Sequence, residues 1–160
     1  MNPPLQPQTL DHAGIAASVP HGGSMCLLHR LHGWSAERID CSAISHRDPA
    51  NPLRTQGVLL AVNAIEYAAQ AMALHGSLSA EMSAELSAEP GARPTPGFLA
   101  SVRAVKLHVP RLDDAAGALR IVATRQAGDT RQALYTFTLL DEQGALLVDG
   151  RATVVLNALP

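Results

Sequence analysis

The sequence predicts an α+β fold in which a single antiparallel sheet wraps a long central helix. Three observations carry that prediction. The stretch Gln56 to Gly76 is almost wholly small or apolar and lacks the charged face of a surface helix, so it is expected to be enclosed on most sides. Strand-like patterns flank it, two before and four after, and a sheet of that size needs something apolar to cover one face. Aromatic residues make up only 3% of the chain while hydrophobic residues reach 47%, so the core is expected to be aliphatic and rich in Ala. At 160 residues the chain is expected to be one domain, 1–160.

Each element has its local reason. Pro3, Pro4 and Pro7 make residues 1–8 a loose N-terminal arm. Thr9 to Val19 reads as a short helix with Thr9 or Asp11 as N-cap, ended by Pro20-His21-Gly22-Gly23-Ser24. Met25 to Trp34 and Arg38 to Ser45 read as a hairpin, the second strand half-buried because Ile39, Cys41 and Ala43 alternate with Asp40, Ser42 and Ile44. The prolines of His46 to Thr55 mark a loop leading to the central helix, which is expected to stop at Gly76. Residues 77–97 form a linker rich in Ser, Ala, Glu and Pro, either a solvated helical extension or a loop. Strands follow at Phe98–Val109, Gly117–Gln126, Ala133–Leu140 and Ala145–Leu156, with turns at Ala127–Thr130 and Asp141–Gly144.

Composition excludes several function classes. A formal net charge of −2 provides no basic field for nucleic acid or an anionic membrane. Cys26 and Cys41 are too few for a disulfide framework, and the first residues lack the basic start and apolar run of a signal peptide. A cytoplasmic protein with reduced thiols is expected. Asn63, Glu66, Gln70 and His75 interrupt the most apolar stretch, so no membrane span is expected.

Within the central helix one carboxylate, Glu66, precedes Gln70 by one turn, placing both on one face. A carboxylate in such surroundings must be paired, solvated in a cleft or protonated. Other clusters carry less. Cys26, His29 and His32 have a zinc-like spacing, but on a strand His29 and His32 face opposite sides, so no metal site is expected. His75 reads as a helix cap or packed residue, and Arg47, Arg54 and Arg111 as solvated charges or contacts for an acidic partner.

The Ile65-Glu66-Tyr67-Ala68-Ala69-Gln70 stretch resembles the helix of the FabA/FabZ 3-hydroxyacyl-[acyl-carrier-protein] dehydratases, whose fold is the hotdog. Pro20-His21, Cys26-Leu27-Leu28, His46 to Arg54, Ile65 to Ala73 and Leu107 to Asp114 resemble more closely the ApeP-type dehydratases of aryl polyene biosynthesis. The resemblance implies Glu66 as a catalytic carboxylate with Gln70 beside it. It does not supply the Gly-His-Phe-Pro turn that carries the base in the better-known dehydratases, because Pro52 stands where that His would be. His21 is the candidate catalytic base, with His46 as a further candidate base and Gln70 as a substrate-binding candidate. The resemblance also implies an acyl carrier protein as substrate carrier, and a homodimer or a heterodimer with a second hotdog dehydratase.

Removing water from a 3-hydroxyacyl thioester takes one proton from the carbon beside the carbonyl and gives one to a poor leaving hydroxyl, so two titratable groups must face the substrate. Backbone N–H groups near Gly57 to Leu60 are expected to stabilise the developing enolate oxygen, and no cofactor is required. Two alternatives use the same fold: a non-catalytic or half-site subunit that binds an acyl chain or completes a partner's site, and an acyl thioesterase.

Overall fold

A computed structural model describes residues 5, 8–20, 22–86 and 97–156 of the chain. The elements run α1 (His12–Ser18), β1 (Arg30–Trp34), β2 (Arg38–Ala43), α2 (Ala64–Leu86), β3 (Phe98–Leu107), β4 (Leu119–Gly128), β5 (Gln132–Leu140) and β6 (Leu146–Val155). The six strands form one sheet in the order β1-β2-β4-β5-β6-β3, every neighbouring pair antiparallel. Helix α2 packs on β2, β4 and β5.

Alternation along β4 and β5 explains the wrap. Ile121, Ala123, Tyr135, Phe137 and Leu139 are buried, as are Ala64, Tyr67, Ala68, Ala71, Met72, Leu74 and Leu78 of α2. Successive strand residues point to opposite faces, so Arg120, Val122, Thr124, Leu134, Thr136 and Thr138 lie on the face away from the helix. Full burial of each Leu, Ile or Phe contributes about 1.5–3 kcal/mol.

Several boundaries differ from expectation, each for a local reason. α2 starts later than Gln56 because Thr55 and Val58 close on each other through two backbone hydrogen bonds, of 2.8 and 3.0 Å, with Gln56 and Gly57 at positive φ. A single 3-10 turn, Ala61–Asn63, then leads into the helix. Nor does α2 stop at Gly76. That residue has helical, not left-handed, backbone, and the Ala and Glu residues beyond it are good helix formers. The helical extension is therefore the observed form as far as Leu86, and the rest of the expected linker, 87–96, lies outside the described residues.

β1 is shorter than expected because Met25 belongs to a 3-10 turn, Gly23–Met25, and Leu27 gives its N–H to Gln70 and its carbonyl to Ser45 instead of to a neighbouring strand. β2 is not half-buried: Asp40 and Ser42 are enclosed along with their neighbours. The Arg120 guanidinium covers Asp40, and His32 reaches Ser42 Oγ at 2.8 Å. At the amino end Asp11 caps α1, its Oδ1 accepting from Gly14 N at 2.9 Å. Trp34 Nε1 donates to Gln8 at 3.0 Å, while residues 1–4, 6 and 7 of the expected loose arm lie outside the described residues. Asp129 and Asp141 close the two predicted hairpin turns, the Oδ1 of Asp129 accepting from Arg131 N and Gln132 N and that of Asp141 from Gln143 N and Ala145 N.

Candidate active site

Glu66 lies in the first turn of α2. One turn later, the Gln70 amide is fully buried and fully used. Its Nε2 donates to Glu66 Oε1 at 3.1 Å and to Met25 O at 2.6 Å, and its Oε1 accepts from Leu27 N at 2.8 Å. Two donors and one acceptor are thereby committed, so Gln70 acts as a clamp between the helix carboxylate and the 25–27 segment.

A second chain of hydrogen bonds starts at the neighbouring residue, Tyr67, which is also fully buried. Ser45 has one hydroxyl proton and gives it to Leu27 O at 2.8 Å, so the 2.9 Å contact between Ser45 and Tyr67 must be donated by the phenol. Asn51 Nδ2 in turn donates to the Tyr67 oxygen at 3.1 Å and to Ser45 O at 2.9 Å. Leu27 is thus held on both sides, its N–H by Gln70 and its carbonyl by Ser45. Burial raises the Tyr67 pKa, against the hydrogen bonds it shares with Ser45 and Asn51.

These contacts fix the walls of a cleft of about 440 Å³ between the 23–29 segment and the 44–52 loop, with Leu27, Ser45, Asn51 and Pro52 in its lining. His21, the candidate base, precedes the first of these segments and lies outside the described residues.

His46 is placed differently from expectation. It is fully buried, its Nε2–H donates to Ala115 O at 3.0 Å, and burial pushes its pKa down. Nδ1 is enclosed without a hydrogen-bond partner among the described residues. The His46 ring is thus enclosed between the 45–47 turn and the 115 loop. The same junction binds Arg54, which donates to the carbonyls of Asp48 and Gly57 at 2.8 Å and of His46 at 3.2 Å.

Arg54 and Arg111 also meet at Asp113. The Arg111 guanidinium holds the Asp113 carboxyl down at about 2, and Asp113 Oδ1 accepts from Leu59 N at 3.3 Å. These two arginines therefore staple the loop before α2, whereas Arg47 is exposed. Of the expected oxyanion donors at Gly57 to Leu60, two are already committed within the fold. Val58 N is bonded to Thr55 O and Leu59 N to Asp113, and the helix begins only after them.

The remaining histidines have local partners. His75 is buried in mid-helix, not at a cap. Its Nε2–H donates to Ser35 O and its Nδ1 accepts from Tyr135 Oη, both at 2.7 Å, and burial pushes its pKa down. Cys26 Sγ approaches His12, at 4.0 Å, not His29 or His32. His108 pairs with Asp149 at 2.7 Å. Sequence reasoning missed Ser45, Asn51 and Tyr67. The visible signal was a phenol beside Glu66 in an otherwise apolar helix.

A six-stranded antiparallel sheet around a long helix is the hotdog fold. The chain belongs to the ApeP-like family, ApeP dehydratase, whose model matches residues 13–158. Among solved structures it is similar to the dehydratase heterocomplex ApeI:P from Xenorhabdus doucetiae, with 24% identity over 90% of this chain and 91% of that one and a TM-score of 0.76. Thioesterases from Pseudomonas aeruginosa (16% identity, 96% and 98% covered, TM-score 0.63) and Haemophilus influenzae (15% identity, 94% and 93% covered, TM-score 0.62) share the fold. No curated protein sequence matches the chain. Among the described residues no helix is long and apolar enough to cross a membrane.

Proposed function

We propose that this hotdog dehydratase removes water from 3-hydroxyacyl thioesters on an acyl carrier protein, giving trans-2-enoyl thioesters for polyene-type pigment biosynthesis. The observation that carries the proposal is the Gln70 clamp. Because Gln70 Nε2 donates to Glu66 Oε1, Oε1 is an acceptor, and the acid proton belongs on Oε2. From there it passes to the departing hydroxyl while an imidazole takes the proton from the carbon next to the thioester carbonyl. With His46 anchored elsewhere, the base is His21 or a His supplied across a subunit interface.

The partner is a second hotdog chain, paired along β3. That strand is one of the two sheet edges, and its ends present Phe98 at 56% and Leu107 at 50% exposure. An apolar open edge is a template for strand pairing. A dehydratase heterocomplex among the similar structures favours a related, non-identical partner, and a homodimer is the other arrangement.

Mass spectrometry of a 3-hydroxyacyl carrier protein, incubated with the chain alone and with a hotdog partner, tests the proposal. Loss of water supports it. Release of free acid means a thioesterase, and no change under either condition means a non-catalytic subunit.

A further inference from the structure

The face of the sheet turned away from α2 carries a second depression, of about 530 Å³, across β4, β5, β6 and β3. Register places Thr124 opposite Thr136, Thr136 opposite Arg151, and Arg151 opposite Arg103. Two exposed arginines thus stand directly across from each other on adjacent strands, an arrangement that costs stability. Among the described residues neither forms an ion pair. The nearest acid on that face, Asp149, sits opposite Lys106 and is bonded to His108.

The backbone around this pair is distorted as well. β3 is irregular on both sides of Arg103, between Leu99 and Ser101 and between Arg103 and Lys106. Within the second irregularity Ala104 has φ of 52°, which is unfavourable for a residue with a Cβ. β4 is bulged between Arg125 and Ala127. Bulges re-aim side chains and gather next to binding sites, and backbone strain collects at ligand clamps.

The lining is mixed. Ser101 and Thr153 add hydroxyls beside the arginines, Gln126 donates to Thr136 Oγ1 at 3.0 Å, and Leu134, 41% exposed, adds an apolar wall. We propose that this groove binds a small amphipathic anion, its phosphate or carboxylate head between Arg103 and Arg151 and its aliphatic body along Leu134 and the arginine stems. Guanidinium forks match the oxygens of both heads, and the volume suits a small-molecule ligand. The site is on the opposite side of the sheet from Glu66 and is independent of the chemistry there.

Titration of the full chain with octyl phosphate, decanoate, inorganic phosphate and octanol, followed by calorimetry and thermal melting, tests it. Both amphiphiles should bind at least about tenfold more tightly than inorganic phosphate or octanol, and Arg103→Gln and Arg151→Gln should each weaken them at least about tenfold. At low ionic strength each variant should also melt above the unsubstituted protein when no ligand is present, because a like-charge contact is gone. If only one amphiphile binds, its head is the source selected. Equal binding of inorganic phosphate, equal binding of octanol, or unchanged affinity in both variants overturns the proposal.

Discussion

Replacing Gln70 by Met keeps the helix and nearly the side-chain volume but removes the whole clamp. Leu27 N loses its acceptor and Met25 O and Glu66 Oε1 lose their donor. Leu27 is 1% exposed, so its N–H is left unsatisfied at a cost of about 1–3 kcal/mol. Met25 is only half-buried, and water can replace its lost bond, leaving a net loss of about 0.5–1.5 kcal/mol. Together these predict destabilisation of about 1.5–4.5 kcal/mol, read as a fall in the urea midpoint at unchanged slope. Dehydration should fall further than stability explains, because Glu66 loses the contact that orients it, and the loss should appear in kcat more than in KM. Gln70→Glu provides a control of the same shape in which a donor becomes an acceptor facing Met25 O and Glu66 Oε1. A shift below about 0.5 kcal/mol in Gln70→Met, the level of an ordinary surface change, would refute the clamp.

Further outcomes are expected. Glu66→Gln should fold normally and lower dehydration by about 10²–10⁴-fold; near-normal turnover would remove Glu66 from the mechanism. His21→Ala should impair turnover more than His29→Ala or His32→Ala, and equal small effects would return His21 to a structural role. Gly76→Ala should stabilise the protein by about 1 kcal/mol, because a Cβ there meets nothing within 4 Å; a lower melting temperature would show that the space is filled in the assembled protein. Burial lowers the pKa of His46 and His75 from 6.5, so below that pH the unfolded chain binds more protons and stability must fall as pH drops. Denaturant midpoints measured between neutral pH and about pH 5 check the sign, and a flat or rising trend would contradict it. Asp113, held at about 2 against 3.8, stabilises the fold above 3.8, and that contribution disappears only as pH falls towards 2.

The order of strands and helix was legible in the sequence because it rests on periodicity, and a stretch such as Ile65 to Leu74, apolar nearly all round, has few ways to avoid water other than being wrapped by a sheet. Glu66 and Gln70 were legible as a pair for the same reason, since one helical turn fixes their shared face. What Gln70 does was not, because its partners Met25 and Leu27 are about forty residues away in the chain and only folding brings them together. Helix limits were misread where local and tertiary preferences compete. Gly76 carries a stop signal that packing and the following Ala and Glu residues override, while the turn at Thr55–Val58 delays the start. His46 shows the limit most plainly. Its position in the sequence allowed a base, but folding buries the ring and directs its Nε2–H to the carbonyl of Ala115, sixty-nine residues later. Chemical type and helical phase are local properties that the sequence alone determined, whereas the partner of each buried polar atom depends on long-range contacts that only the tertiary structure decided.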